Sequence, residues 1–237
     1  MLIIAHDLTR SYKILHDLRD VLSEECTLTS EPNLNLTITQ LYSMLFAVDV
    51  GNSHTVSGIF SGQELMHQWR LQSDRDKTAD ELATRYHSLF QMEGINKQDI
   101  TACIICSVVP PLETSWLNFT TKYLSGCLTP PLAVSHQTET GITICTENPA
   151  EVGADRVVHA VAAWNRFKTA LIAIDFGTAI TFDCVSKRGE YLGGTIHPGI
   201  GISLDALAGK TAKLPRIDLD RKPTAVIGAN TVDAIRS

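Results

Sequence analysis

Residues 45–55 read Leu-Phe-Ala-Val-Asp-Val-Gly-Asn-Ser-His-Thr, and residues 171–181 read Leu-Ile-Ala-Ile-Asp-Phe-Gly-Thr-Ala-Ile-Thr. Leu, Ala, Asp, Gly and the final Thr coincide, and Val48 stands opposite Ile174. In each copy an apolar run ends on a carboxylate, then turns on a glycine into small polar residues and a second apolar run. The length and β-branched content of the apolar run predict a buried strand. The glycine allows a positive φ or a close backbone approach, so Gly51-Asn52-Ser53 and Gly177-Thr178-Ala179 suit tight hairpins. One such corner alone is explained as a turn, because Asp, Gly and Asn are turn formers. Two corners in register behind matching strands point instead to a duplicated unit. An Asp at such a corner can hold a hydrated cation, while exposed amides and hydroxyls face phosphate oxygens. Two facing corners would make a phosphate clamp.

The rest of the chain is consistent with a duplicated α/β unit. The first copy is predicted as strands 45–50, 54–60 and 64–71 followed by a helix over about 79–93, opened by the capping box Thr78-Ala-Asp-Glu81. A strand over 101–106 follows, and Pro110-Pro111 introduces a helix to about 123. Short strands near 131–135 and 141–145 are expected to close the first half. Residues 151–164 read as a loop entering a helix whose apolar positions Val157, Val161 and Trp164 share a face. The second copy repeats the meander with strands 171–175, 179–186 and 189–195, then a helix near 200–208. No counterpart of strand 101–106 is seen before Ser237, so the second copy is expected to be incomplete. Residues 1–43 differ in character. Positions 5–23 suit an amphipathic helix through Leu8, Tyr12, Leu15, Leu18 and Leu22, and 24–40 a polar loop. Met44 is expected to start the folded domain, with 1–43 an extension of it.

Composition narrows the function classes. At 237 residues, 44% hydrophobic and 19% charged, the chain is globular and holds one large or two modest domains. A net charge of −6 argues against a broad nucleic-acid surface, and no apolar run has the length of a membrane span. Without a basic start and a sustained apolar core, the N-terminus predicts no secretory signal. Cys103 and Cys106 sit in one predicted strand, where an odd offset sends them to opposite faces. With no second cysteine pair at zinc spacing, buried free thiols in a reducing cytosol are expected.

Asp49 and Asp175 are the metal and phosphate candidates, with Asn52, Thr178 and Thr181 as neutral partners. Phosphoryl transfer needs positioning and charge neutralisation more than covalent catalysis, so this set of groups suffices. Gly153-Ala154-Asp155-Arg156 is a second constellation, at a predicted helix start. There Asp155 can accept a proton from an alcohol, or it can simply complement the helix dipole. Arg156 can hold an anionic group bidentately. Ala208-Gly-Lys-Thr211 looks like the tail of a P-loop but lacks the first glycine, with Leu204 in its place, and it ends a helix.

Five segments follow one another in the order seen in type III pantothenate kinases, and the sequence resembles that family over 44–237. They are Asp49-Val-Gly-Asn-Ser53, Glu151-Val-Gly-Ala-Asp-Arg156, Asp175-Phe-Gly-Thr-Ala179, Gly193-Gly-Thr-Ile-His-Pro-Gly199 and Thr211-Ala-Lys-Leu-Pro215. The resemblance implies an α/β fold of duplicated ribonuclease H-like (actin-like ATPase) domains, each a mixed sheet flanked by helices, at 44–152 and 153–237. It implies a cytoplasmic homodimer that phosphorylates pantothenate with ATP, Mg2+ and a monovalent cation, K+ or NH4+. It places ATP binding on Asp49, Val50, Gly51, Asn52, Ser53, His54, Thr55 and Val56 and on Thr178, with Mg2+ held by Asp49 through water. The proton acceptor falls on Asp155, and substrate contacts fall on Gly153, Ala154, Asp155, Arg156 and Thr231. Asp175 becomes the monovalent-cation ligand. Ser53 stands where the family usually has threonine and keeps the hydroxyl. Thr146 stands at a substrate-contacting position where many members carry tyrosine. The family pattern continues past the position of Ser237 to a Gly-Gly turn that holds the adenosine. The competing expectation is a non-catalytic ligand sensor or transcription accessory factor of the same fold.

Overall fold

The computed structural model describes residues 2–5, 16, 17, 19, 21, 44–218, 221–223 and 225–237. Strands are β1 (Leu2–Ala5), β2 (Met44–Val50), β3 (His54–Ser61), β4 (Glu64–Gln72), β5 (Ile100–Ser107), β6 (Leu132–Ala133), β7 (Thr143–Ile144), β8 (Leu171–Phe176), β9 (Ala179–Val185) and β10 (Glu190–Pro198). Helices are α1 (Ala79–Met92), α2 (Pro110–Tyr123), α3 (Ala154–Phe167), α4 (Ile200–Lys210) and α5 (Thr231–Arg236). The strands form two five-stranded sheets, ordered β4-β3-β2-β5-β6 and β1-β8-β9-β10-β7.

The two sheets match around their leading strands. β2 is antiparallel to β3 and parallel to β5. Likewise β8 is antiparallel to β9 and parallel to β1. The place expected to be empty in the second copy is therefore held by Leu2–Ala5, drawn from ahead of the first unit. Ala5 lies in this strand and not in the expected amphipathic helix. His16, Asp17, Arg19 and Val21 are helical, whereas Leu8, Tyr12, Leu15, Leu18 and Leu22 lie outside the described residues, as does the predicted 24–40 loop. Val21 is buried in the same core as Leu45 and Phe60. β7 does not close the first half as expected. It pairs with β10 in the second sheet, because a strand of two residues carries no pattern of its own that selects a partner.

Alternation along β2 splits its side chains between two cores. Phe46, Val48 and Val50 face α1 and α2, packing with Tyr86, Phe90, Trp116 and Phe119. Leu45 and Ala47 face α3, with Val157, Val158 and Val161. Cys103 and Cys106 fall on opposite faces as predicted, one in each core. α3 packs on both sheets. Its valines meet the first, while Ala160, Ala163 and Trp164 meet Leu171, Ala173, Val185 and Tyr191 of the second. Val157, Val161 and Trp164 share a face as their helical spacing requires, but Trp164, further along the helix, packs against the second sheet rather than the first. α1 begins with the expected capping box at Thr78 and Glu81. No helix among the described residues is long and apolar enough to cross a membrane.

Candidate active site

At the first corner the β2–β3 ladder runs to the pair Val50 and Thr55, and the Gly51 N–H donates to the His54 carbonyl at 3.1 Å. A Cβ on Gly51 would lie 3.0 Å from that carbonyl, so close approach rather than a positive φ explains the glycine. The segment after β4 braces the turn. The Ser73 hydroxyl donates to the Gly51 carbonyl at 2.6 Å, and the Ser73 N–H donates to the Ser53 carbonyl at 3.0 Å. Arg75 Nη2 donates to Asn52 Oδ1 at 3.1 Å, and Arg70 Nη2 lies 3.2 Å from His54 Nδ1. A cavity of about 530 Å³ opens here, lined by Asn52, Ser53, His54, Arg70, Gln72 and Ser73. Val50 and Val56 are buried in the two cores and serve as scaffold for the exposed turn between them.

Asp49 stands beside Cys106 in the β2–β5 register. The Cys106 thiol is fully buried and hydrogen-bonded with Asp49; burial pushes its pKa well up, and the negative charges of Asp49, Asp155 and Glu113 push it further. Asp155 and Glu113 are thus near enough for their charges to act on the thiol that stands beside Asp49. Asp155 arrives there in the first turn of α3, where its Oδ1 accepts the Arg156 N–H at 2.8 Å. A Cβ on the helix-capping Gly153 would lie 2.7 Å from that oxygen, so the glycine makes room for the carboxylate. Ala154 is buried against the first sheet.

Arg156, the next residue, faces the second sheet. Its Nε donates to Asp183 Oδ1 at 2.7 Å, and Nη2 approaches the same oxygen at 2.6 Å. Burial is the largest single influence and disfavours its charge, but the bond to Asp183 and the charges of Asp183, Tyr191 and Asp155 together outweigh it and raise the guanidinium pKa above its ordinary value. Nη2 is nonetheless buried with no hydrogen-bond partner, because its approach to Asp183 is out of line for a bond. Thr146 Oγ1 is likewise buried and unpartnered. Both groups border the paired glycines of β10. A Cβ on Gly193, which has φ +96°, would lie 3.5 Å from Thr146 Cγ2, and one on Gly194 would lie 3.0 Å from Arg156 Nη2 and 1.8 Å from the Phe182 carbonyl.

At the second corner Asp175 is buried on β8 and paired in register with Thr181. The turn is closed by the Gly177 N–H donating to the Ala179 carbonyl at 2.9 Å, which leaves Thr178 exposed. Gly199, at the start of α4, donates to the Thr178 carbonyl at 2.9 Å, and a Cβ there would lie 2.2 Å from the Gly177 carbonyl. Thr231 opens the short helix α5, exposed, in a segment held by bonds from Arg236 to Asp218 and from Ser237 to Ala225.

The structure thus gathers Asp49 and Asp155 at one sheet, and Arg156 and Thr146 beside the other. The bracing groups Arg70, Ser73, Arg75, Asp183 and Tyr191 were not singled out from the sequence. Asp183 alone carried a usable signal, since a carboxylate in mid-strand must find a partner when buried.

The two mixed sheets, flanked by helices, repeat one arrangement: a leading strand antiparallel to its successor and parallel to a strand from elsewhere in the chain. A sequence model of the family described as type III pantothenate kinase matches residues 45–237. The type III pantothenate kinase of Desulfotalea psychrophila is 50% identical over 196 residues, covering 82% of this chain and 74% of the relative. That of Desulforapulum autotrophicum is 47% identical over 195 residues, covering 82% and 73%. That of Anaeromyxobacter sp. strain Fw109-5 is 48% identical over 194 residues, covering 82% and 75%. With the match extending from the first corner to the end of the chain, this protein belongs to the type III pantothenate kinase family.

Proposed function

We propose that this chain transfers the γ-phosphoryl group of ATP to the hydroxyl of pantothenate, giving 4'-phosphopantothenate in the first step towards coenzyme A. The observation that carries the assignment of roles is the start of α3, where consecutive residues serve different sheets. The charges of Asp155 and Asp49 both act on Cys106, and Arg156, ion-paired with Asp183, lies beside Gly194. Pantothenate is a carboxylate at one end and an alcohol at the other. Arg156 Nη2 and Thr146 Oγ1 offer donors to its polar end, with Gly153 and Ala154 shaping the wall and Thr231 a further contact. Asp155 accepts the proton of the alcohol as its oxygen attacks the γ-phosphorus and the bond to the ADP oxygen breaks.

The turn from Val50 to Val56 and the exposed Thr178 hold the phosphates from two walls. Among the described residues no group of three or more His, Cys, Asp or Glu could hold a metal ion. The donor set fits Mg2+ bound to Asp49 through water, since Mg2+ with nucleotides takes most ligands from water and phosphate oxygens. When bound, it neutralises charge on the transferring phosphoryl group. Asp175, a buried carboxylate beside Thr181, is assigned the K+ or NH4+.

The test is ATP-dependent phosphorylation of pantothenate with Mg2+ and K+, for the protein and for Asp155→Asn. Losing the base should lower turnover about 10²–10⁴-fold while ATP binding persists. Near-normal turnover by the variant would remove Asp155 from the mechanism, and pantothenate binding without turnover by the parent would favour a sensor.

A cytoplasmic homodimer completes the reading. Large apolar side chains are exposed on consecutive elements: Leu192 and Ile196 on β10, Ile200 and Ile202 on α4. Such a concentration suits a self-complementary interface. Sedimentation equilibrium should give a dimer for the parent and a monomer for Ile196→Asp/Ile202→Asp, and a dimeric variant would put the interface elsewhere.

A further inference from the structure

Asp183 lies in the middle of β9 with 1% of its surface exposed. Its Oδ1 accepts from Arg156 Nε and from the Tyr191 hydroxyl, each at 2.7 Å, and its Oδ2 accepts from the Thr181 hydroxyl at 3.0 Å. The Tyr191 ring also lies under the guanidinium, with Arg156 Cζ 5.8 Å from the ring centroid. Every described contact to this carboxylate comes from the active-site side of the second sheet, and Thr181 is itself the ladder partner of Asp175. As a source of stability alone such a group is poor, because burying a charge pair costs about as much as the pair returns. Its geometric effect is larger. A guanidinium is planar, so fixing the Nε edge fixes the direction of the rest of the fork.

We propose that Asp183 is a positioning residue for Arg156, with Tyr191 and Thr181 holding the carboxylate in turn. Asp183 touches neither substrate nor nucleotide. It engages the Nε and Nη2 side of Arg156 and so fixes the plane of the guanidinium beside Gly194, where an anionic group of the acceptor substrate is received. Gly194 belongs to the same device, since a side chain there would strike both the Phe182 carbonyl and Nη2. Tyr191 remains a donor throughout, because burial and the adjacent Asp183 charge keep its hydroxyl protonated. This assignment rests on Arg156 binding the substrate, and it predicts an effect confined to that substrate.

Asp183→Asn keeps the size of the side chain and removes its charge. Its KM for pantothenate should rise at least tenfold, with KM for ATP within about twofold of the parent. Tyr191→Phe should move the same constant in the same direction by less, and it supplies the test if Asp183→Asn does not fold. Equal changes in both KM values, or none, would overturn the proposal. A second readout does not depend on turnover. The Arg156 Nε–H resonance, assigned by its loss in Arg156→Lys, should exchange slowly with water in the parent and be lost to fast exchange in Asp183→Asn. Unchanged protection in the variant would overturn the positioning role. If the parent does not phosphorylate pantothenate, the kinase reading falls and this resonance alone decides the role of Asp183.

Discussion

Asp155 and Arg156 are adjacent in the chain, yet Arg156 is bound to Asp183 of the second sheet while the charge of Asp155 acts on Cys106 of the first. A thiol sealed from water, beside Asp49 and acted on by the charges of Asp155 and Glu113, resists ionisation, so it should be inert as a nucleophile. Cys103 is buried in the opposite core and is held high by burial as well. Iodoacetamide at pH 8 should label exposed Cys145 in the native protein and reach Cys103 and Cys106 only after unfolding. Mass mapping that found Cys106 modified in native protein would contradict its placement. The odd spacing of the two cysteines was enough to assign them to opposite faces, because strand geometry fixes that. Nothing in Gly153-Ala-Asp-Arg156 reveals which sheet each charged side chain meets. That depends on α3 lying between two sheets that are remote in sequence.

Among the elements, α1 and the meanders follow from local pattern. The Thr78–Glu81 box, the glycine corners and the alternation of β2 each act within a few residues. β1 and β7 do not. Their pairing is set by open edges elsewhere in the fold, β8 for one and β10 for the other. The edge of β8 offers unpaired backbone groups to any extended segment in reach, and Leu2–Ala5 takes it in the parallel sense that β5 takes beside β2. Deleting residues 1–5 should therefore speed hydrogen exchange at amides of 171–175 and leave those of 45–50 unchanged. Equal exchange at 171–175 with and without the segment would show that the pairing contributes nothing in solution.

At the scale of the whole molecule, the proposed site depends on duplication. Each sheet supplies one acidic corner, and α3 packs on both, carrying Asp155, the proposed proton acceptor, and Arg156, the proposed anion-binding group. The repeated sequence made the two matching hairpins readable, because like strand–turn–strand segments fold alike. The bracing of the first corner by Arg70, Ser73 and Arg75, and of Arg156 by Asp183, was not readable, since those partners lie across strands with no spacing rule to join them. If the chain is the kinase proposed, both corners hold the same phosphates. Hydrogen exchange with and without a non-hydrolysable ATP analogue and Mg2+ tests it most directly. Amides of residues 51–55 and of residues 177–179 should both slow on binding. Protection at only one corner, or at neither, would contradict the account.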